Sequence, residues 1–269
     1  MNKIKIGISG VAGKMGLTIL KIALTDPELQ VVGTIEAKDN KYVGSDIGEL
    51  IGCKKTGILI ESDIMGILSD IDVLMEFTST SATLEHLKKV AELNKRIVIG
   101  TTGFTDKEYE EIKNCANTVP LVLSPNMSIG VNILFKLVQE LSKICPEDYD
   151  IEIFEAHHRF KKDAPSGTAK KLAEIIANEK KIDINKRIIY GREGITGERG
   201  KGTIGIHAVR GGDIVGEHTV SFIGLGERIE LTHKAHSRDT FARGSLLAAK
   251  FIANAKPGIY EMKDVLGIR

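Results

Sequence analysis

Residues Glu155–Lys171 read EAHHRFKKDAPSGTAKK. Two adjacent histidines, His157 and His158, stand beside Arg159, Lys161 and Lys162, and Pro165-Ser166-Gly167-Thr168 follows. Imidazole and ammonium groups are suited to proton transfer near neutral pH. Pro-Ser-Gly-Thr reads as a helix entry in which Ser166 or Thr168 caps and backbone N–H groups are left for an anion. The chemistry implied is proton transfer to a small molecule held by its carboxylates. His157 and Lys161 are four residues apart and share a side in either a strand or a helix. Fully extended, they would lie ~13 Å apart at ~3.3 Å per residue, so one small ligand meets both only if the chain bends. A solvated basic face before an ordinary capped helix would use the same residues. The position of this segment after a dinucleotide-binding pattern favours a site.

That pattern is Gly10-Val11-Ala12-Gly13-Lys14-Met15-Gly16, between a β-branched run and a helical one. Its spacing is G-x-x-G-x-x-G, a variant of the usual G-x-G-x-x-G. Glycines at such a junction let the backbone approach a pyrophosphate at a helix N-terminus. Glu36 ends the next predicted strand, 20 residues past Gly16, where an acid accepts ribose hydroxyls. Glu36 favours NAD, whereas Lys14 and Lys38 are placed to contact a 2′-phosphate, so use of NADH, NADPH or both is expected. Gly100-Thr101-Thr102-Gly103 and Ser124-Pro125-Asn126-Met127 follow two further predicted strands and are candidates for gripping the nicotinamide end.

The elements that must position these groups follow from periodicity. Strands are predicted at Lys3–Ser9, Gln30–Glu36, Val73–Phe77, Arg96–Ile99 and Pro120–Leu123, with helices at Met15–Leu24, Ala82–Leu93 and from Thr105 through Cys115. Thr105-x-x-Glu108 is a capping-box signature. Strands alternating with helices predict an α/β fold, a Rossmann-like, mostly parallel, doubly wound sheet. From Ile129 the pattern changes: a helix to Ile144, a strand at Asp150–Glu155, a helix at Thr168–Glu179, then strand-like runs at Ile188–Tyr190, Thr203–Val209, Ile214–Ile223 and Arg228–Ala235. These predict a C-terminal α+β domain with a mixed or antiparallel sheet. The stretch GREGITGERGKGTIG reads as a long ordered loop. A last helix, Thr240–Asn254, is expected to return to the first domain. The division is therefore 1–128 with 238–269 for the dinucleotide, and 129–237 for the substrate.

A net charge of +1 argues against a nucleic-acid binder that neutralises many phosphates. Cys53, Cys115 and Cys145 are scattered, and neither they nor His207, His218, His233 and His236 have metal-ligand spacing. No metal is expected. No run reaches spanning length, so a cytoplasmic protein without membrane partners is expected.

The sequence resembles the dihydrodipicolinate reductase family over essentially its full length. The resemblance rests on GxxGxMG at Gly10–Gly16, VIGTTGF at Val98–Phe104, SPNMSIGVN at Ser124–Asn132, EAHHRFKKDAPSGTA at Glu155–Ala169, EGxTGER at Glu193–Arg199 and GDIVGEH at Gly212–His218. It implies NAD(P)H-dependent reduction of a cyclic unsaturated dicarboxylate on the route to diaminopimelate and lysine. It places His157 at the family's proton donor or acceptor and Lys161 at its catalytic lysine. His158, Gly167 and Thr168 fall on substrate positions, with Ser166 close by. Gly10–Met15, Glu36, Gly100–Thr102 and Ser124–Met127 fall on cofactor positions. Some members carry an arginine directly after the strand-ending acid; here Ala37 and then Lys38 follow. A homotetramer is also implied by resemblance alone. The competing readings are another amino-acid-pathway dehydrogenase, of which the aspartate-semialdehyde type needs a nucleophilic cysteine, and a dinucleotide-binding regulator without turnover.

Overall fold

The computed structural model describes residues 2–268. It divides into two compact units, one running to Ile129 and resuming at Arg238, the other Gly130–Ser237.

The first unit contains β1 (Ile4–Ser9), α1 (Lys14–Ala23), β2 (Leu29–Ile35), α2 (Ile47–Ile51), β3 (Ile60–Glu61), α3 (Met65–Leu68), β4 (Val73–Glu76), α4 (Thr80–Glu92), β5 (Arg96–Ile99), α5 (Asp106–Ala116) and β6 (Pro120–Leu123). All pairs in its seven-stranded sheet are parallel, in the order β12-β6-β5-β4-β1-β2-β3. The β12 strand is Gly258–Tyr260, from the returning C-terminal segment. Residues alternate along each strand between two buried clusters. Ile6, Ile8, Met75 and Val98 pack with Ile19 and Leu20 of α1 and with Ala249 and Ile252. Leu74, Ile97, Ile99 and Leu121 pack with Leu87 and Val90 of α4 and Ile112 of α5. A sheet covered on both faces reads as short continuous apolar runs, which is why VLME at β4 is buried throughout. Thr105 and Glu108 form the expected capping box at the head of α5. The chain leaves β1 toward β2 on one side and fills β4, β5 and β6 on the other. The order therefore reverses between β1 and β4.

The second unit takes α6 (Ile129–Ile144), whose first residue still belongs to the first, then β7 (Asp150–His157), α7 (Gly167–Lys180), α8 (Ile184–Arg187), β8 (Ile188–Tyr190), β9 (Ile204–Arg210), β10 (Gly216–Ile223) and β11 (Arg228–Ala235). Its sheet runs β11-β10-β7-β9-β8 and is mixed: β10 is antiparallel to both β7 and β11, whereas β9 is parallel to β7 and β8. Parallel neighbours need a crossover of a dozen or so residues. The glycine-rich stretch 191–203 supplies one between β8 and β9 without a helix. One face of the sheet packs Ile151, Ile153, Ile204, Val220 and Phe222 against Leu134 and Val138 of α6 and Leu172 and Ile176 of α7.

The chain then forms α9 (Asp239–Ile252), β12 and α10 (Met262–Val265) of the first unit. Gly244 of α9 lies against the Met127 carbonyl, a place with no room for a Cβ. Elements of five residues or fewer between 47 and 68, and β12 and α10, are absent from the periodicity reading because one turn or one pair of residues shows no period. The loop from Asp46 to Gly57 is held instead by one carboxylate, Asp46, which accepts from the N–H groups of Gly48, Thr56 and Gly57.

Candidate functional site

In the first unit, a cavity of about 740 Å³ opens at the carboxyl ends of the central strands. Gly10, Ala12, Gly13, Glu36, Phe77 and His86 are among the residues lining it. Gly10 has φ +74° and lies against the Phe77 carbonyl, so an L side chain is excluded twice. At Gly16 a Cβ would collide with the Gly10 carbonyl, which is why the first turn of α1 can sit so close to the strand. The N–H groups of Gly10 and Val11 are used on the Ile35 carbonyl at the end of β2, and that of Gly13 on the Gly10 carbonyl within the loop. Lys14 and Met15 open α1, and N–H groups in that first turn have no intrahelical acceptor. Those amides suit a pyrophosphate.

Glu36 follows β2 and accepts from Ala12 N–H at 2.6 Å, Ala37 N–H at 3.2 Å and Asn40 Nδ2 at 3.2 Å. The acid and the glycine loop are thus one hydrogen-bonded unit. Lys38 and Lys14 are exposed, and neither lines the cavity. The charged lining is Glu36, Asp63, Glu85 and Lys89, with Lys89 paired to Glu85 at 2.8 Å. This surface suits a free ribose hydroxyl better than a phosphate.

The other candidates on this unit lie on turns after β5 and β6. The Gly100 N–H bonds the Glu76 carbonyl, and its Cα lies under the Phe77 ring where a Cβ would clash. Thr101 is buried, its hydroxyl 2.8 Å from Thr83 Oγ1, while Thr102 is exposed. Ser124 donates to the Asn126 carbonyl at 2.9 Å, Asn126 Oδ1 accepts from Ser128 N–H at 2.9 Å, Pro125 is exposed and Met127 is buried.

Sequence reasoning passed over the fully buried Glu76 at the end of β4. It holds His86 Nδ1 at 2.7 Å and the Thr78 hydroxyl, so a buried carboxylate orients an imidazole at the cavity wall. A Glu ending an otherwise apolar strand, with no nearby cation in sequence, was the available signal.

In the second unit, the segment Glu155–Lys171 begins at the end of β7. The strand ends at His157. The chain then turns, Lys161 N–H bonding the His158 carbonyl at 3.1 Å, which is the bend that the four-residue spacing demands. Gly211 and Gly212 brace the turn through bonds with the His157 carbonyl and Arg159 N–H. Lys161 Nζ is held by both oxygens of Asp163, at 2.8 and 2.9 Å. His158 is half-buried, its Nδ1 without a hydrogen-bond partner.

Ser166 caps α7, its hydroxyl accepting from Ala169 N–H at 3.2 Å. That hydroxyl also meets His218 Nε2 at 3.0 Å, and the Ser166 N–H bonds Glu155 at 3.0 Å. Ser166 is 2% exposed, so both its polar groups serve the fold. The N–H groups expected at this helix head therefore begin at Gly167, where a Cβ would meet nothing within 4 Å.

Burial pushes the His157 imidazole below its ordinary pKa, against the opposing bond to Glu155. Burial likewise pushes His218 down to about 3. Its Nδ1 is buried without a partner. Both rings are neutral at neutral pH. Burial alone would raise Glu155, but Arg210, His157 and the Ser166 amide outweigh it and hold the carboxyl low.

A second glutamate organises the opposite face of β7. Glu152 accepts from Arg192 at 2.9 Å, Arg199 Nε at 3.0 Å and His207 Nε2 at 2.7 Å. Burial works against its charge, yet these partners hold it at about 2. Both arginines come from the glycine-rich loop, which is how that loop is ordered. None of these partners is legible from the HHRFKK segment itself. Burial also raises the Cys115 thiol, which opposes the nucleophile that an aspartate-semialdehyde-type enzyme needs. Among the described residues, no helix is long and apolar enough to cross a membrane.

Residues 4–127 match the family model described as dihydrodipicolinate reductase, N-terminus, and residues 130–266 the one described as dihydrodipicolinate reductase, C-terminus. The 4-hydroxy-tetrahydrodipicolinate reductase of Syntrophus aciditrophicus (strain SB) is 48% identical over 266 residues, covering 99% of each chain. That of Nitrosomonas europaea is 48% identical over 269 residues and covers both chains completely. A solved structure of dipicolinate-bound dihydrodipicolinate reductase from Paenisporosarcina sp. TG-14 superposes with a TM-score of 0.77 at 26% identity, over 96% of this chain and 97% of that one. Sequence likeness from end to end and likeness of fold point the same way, and the chain belongs to the dihydrodipicolinate reductase family.

Proposed function

We propose that this chain reduces 4-hydroxy-tetrahydrodipicolinate, or the cyclic unsaturated dicarboxylate derived from it, to tetrahydrodipicolinate on the route to diaminopimelate and lysine. NADH or NADPH supplies the hydride when bound. The first unit, 1–128 with 238–269, serves as the cofactor domain; 129–237 serves as the substrate and oligomerisation domain. In the cofactor domain, the amides of Lys14 and Met15 receive the pyrophosphate, with Gly10, Val11, Ala12 and Gly13 shaping the approach. Glu36 accepts the ribose hydroxyls. Gly100–Thr102 and Ser124–Met127 border the nicotinamide. The predominantly acidic lining around Glu36 favours NADH, leaving Lys38 a minor role toward a 2′-phosphate.

In the substrate domain, Gly167 and Thr168 present the first turn of α7 to one substrate carboxylate, with His158 as a further contact and Ser166 as the fixed cap beneath. After hydride arrival the ring carries carbanion or enamine character and needs a proton. Lys161, held by Asp163, delivers it, and neutral His157 hydrogen-bonds the ring and carries the proton exchange with water. The enzyme works in the cytoplasm as a homotetramer, without a metal, nucleic acid or membrane partner. The observation that carries this reading is the turn after β7, which brings His157 and Lys161 to the same end of the strand as the head of α7.

The test is loss of reduced-nicotinamide absorbance when NADH or NADPH is mixed with freshly made synthase product. Turnover with at least one cofactor is expected. Binding of cofactor without consumption of either would favour a regulator instead.

A further inference from the structure

Glu155 is 1% exposed and lies on the core-facing side of β7, in phase with Ile151 and Ile153. Its carboxylate makes four contacts with three residues. Oε2 is 2.6 Å from His157 Nδ1 and accepts from Arg210 Nη1 at 2.7 Å. Oε1 accepts from Arg210 Nη2 at 2.8 Å and from Ser166 N–H at 3.0 Å. Arg210 is itself anchored on the carbonyls of Val209 and Asp163. We propose that Glu155 is the positioning residue of this site: one buried anion fixes the tautomer of His157 and the head of α7 together, and Arg210 keeps that anion charged. The proposal rests on the reading of His157 as a proton-transfer group.

An anionic carboxylate can only accept, so the His157 proton sits on Nδ1 and the lone pair is left on Nε2. Nε2 occupies space that Gly216 leaves open, since a Cβ there would lie 3.1 Å from it. The same carboxylate accepts the amide that precedes Gly167, so the ring and the anion-binding turn cannot shift independently. A buried carboxylate with this many donors is rigid, which is what a proton-transfer geometry requires. The charged or titratable groups facing His157 are Glu155 on its own strand, Lys161 on the next turn, Arg210 on β9 and His218 on β10, whose ring lies 5.2 Å away edge-on. Of these, Glu155 alone favours a protonated ring.

The test is Glu155→Gln in the full-length enzyme, with His157→Ala measured alongside. The carboxamide oxygen still accepts from Arg210 and Ser166, but its NH2 donates to Nδ1 and imposes the opposite tautomer on His157. We expect kcat to fall about 10²-fold, with the KM for the dicarboxylate changing less than about 3-fold. The acid limb of the pH–kcat profile should move to lower pH, because the group that favours the imidazolium is gone. Thermal unfolding and NADH affinity report whether the fold is kept. If Glu155→Gln does not fold, Glu155→Asp keeps the charge against Arg210 but withdraws it by one methylene, and must show the loss of kcat. A folded variant with wild-type kcat and an unmoved acid limb, while His157→Ala is crippled, overturns the proposal alone. A silent His157→Ala removes the proposal together with the reading beneath it.

Discussion

The two units build their candidate sites by different means. In the first, the groups at the cavity are mostly backbone: glycines that admit close approach, helix-head amides, and one acid bonded to the loop it faces. In the second, β7 carries a buried glutamate on each face, and each is held by arginine from a distant part of the chain. Backbone recognition is written in local spacing, so it survives as a short motif. Side-chain scaffolding of this kind is written in pairings across 40 to 55 residues, which no local window contains.

The sharpest way to break that contrast is to remove the titratable groups. His157→Ala and Lys161→Ala should each lower kcat by about 10²–10⁴-fold, the range for a positioned acid or base. NADH affinity, followed by quenching or enhancement of its fluorescence, should change little. An equal loss of cofactor affinity would mean that the segment is not confined to substrate chemistry.

Acid should expose the second unit next. His218 is depressed to about 3, so the unfolded chain takes up its proton near the ordinary imidazole value while the folded chain does not. Its contribution is complete above about pH 6.5, falls as pH is lowered, and levels off near the folded value. By pH 5 the loss from this one ring is about 2 kcal/mol. Urea midpoints by circular dichroism at pH 7 and pH 5 should show it, and His218→Asn should flatten the slope. An unchanged slope would mean that the imidazole finds a partner for its second nitrogen.

The smallest effect is expected where the backbone dominates. Glu36→Gln should shift the ratio of kcat/KM for NADPH over NADH upward by about tenfold, roughly 1.4 kcal/mol, as a charge beside the 2′ position is lost. Specificity constants for both cofactors measure it directly. A ratio that does not move would place discrimination on exposed Lys38 or Lys14 instead.

Much of the first unit was legible because its strands are short, apolar and regularly separated by helices. Arg96–Ile99, Pro120–Leu123 and Ile129–Ile144 coincide with the boundaries read from periodicity. The second sheet was legible in kind but not in order, since a loop rather than a helix makes the parallel crossover to β9. At the site, the bend between His157 and Lys161 and the capped head of α7 were legible in HHRFKKDAPSGT. The missing part was what holds them. In DIEIFEAH, strict alternation places Glu155 on the face of Ile151 and Ile153, and an acid at a core position is a demand for partners. That signal was present. Which cation answered it was not, because Arg210 is brought alongside only by the parallel pairing of β9 with β7.

Glu152 gives the glycine-rich stretch an unusual mechanical property. Composition alone would let residues 191–203 flicker open piecemeal, yet Arg192 near one end and Arg199 further along grip the same carboxylate. Releasing either guanidinium leaves the anion under-neutralised and strengthens its hold on the other. The strap should therefore loosen one end at a time, the second guanidinium held harder than the first, with its amide exchange and protease sensitivity governed by Glu152 at the centre of the sheet rather than by its own glycines.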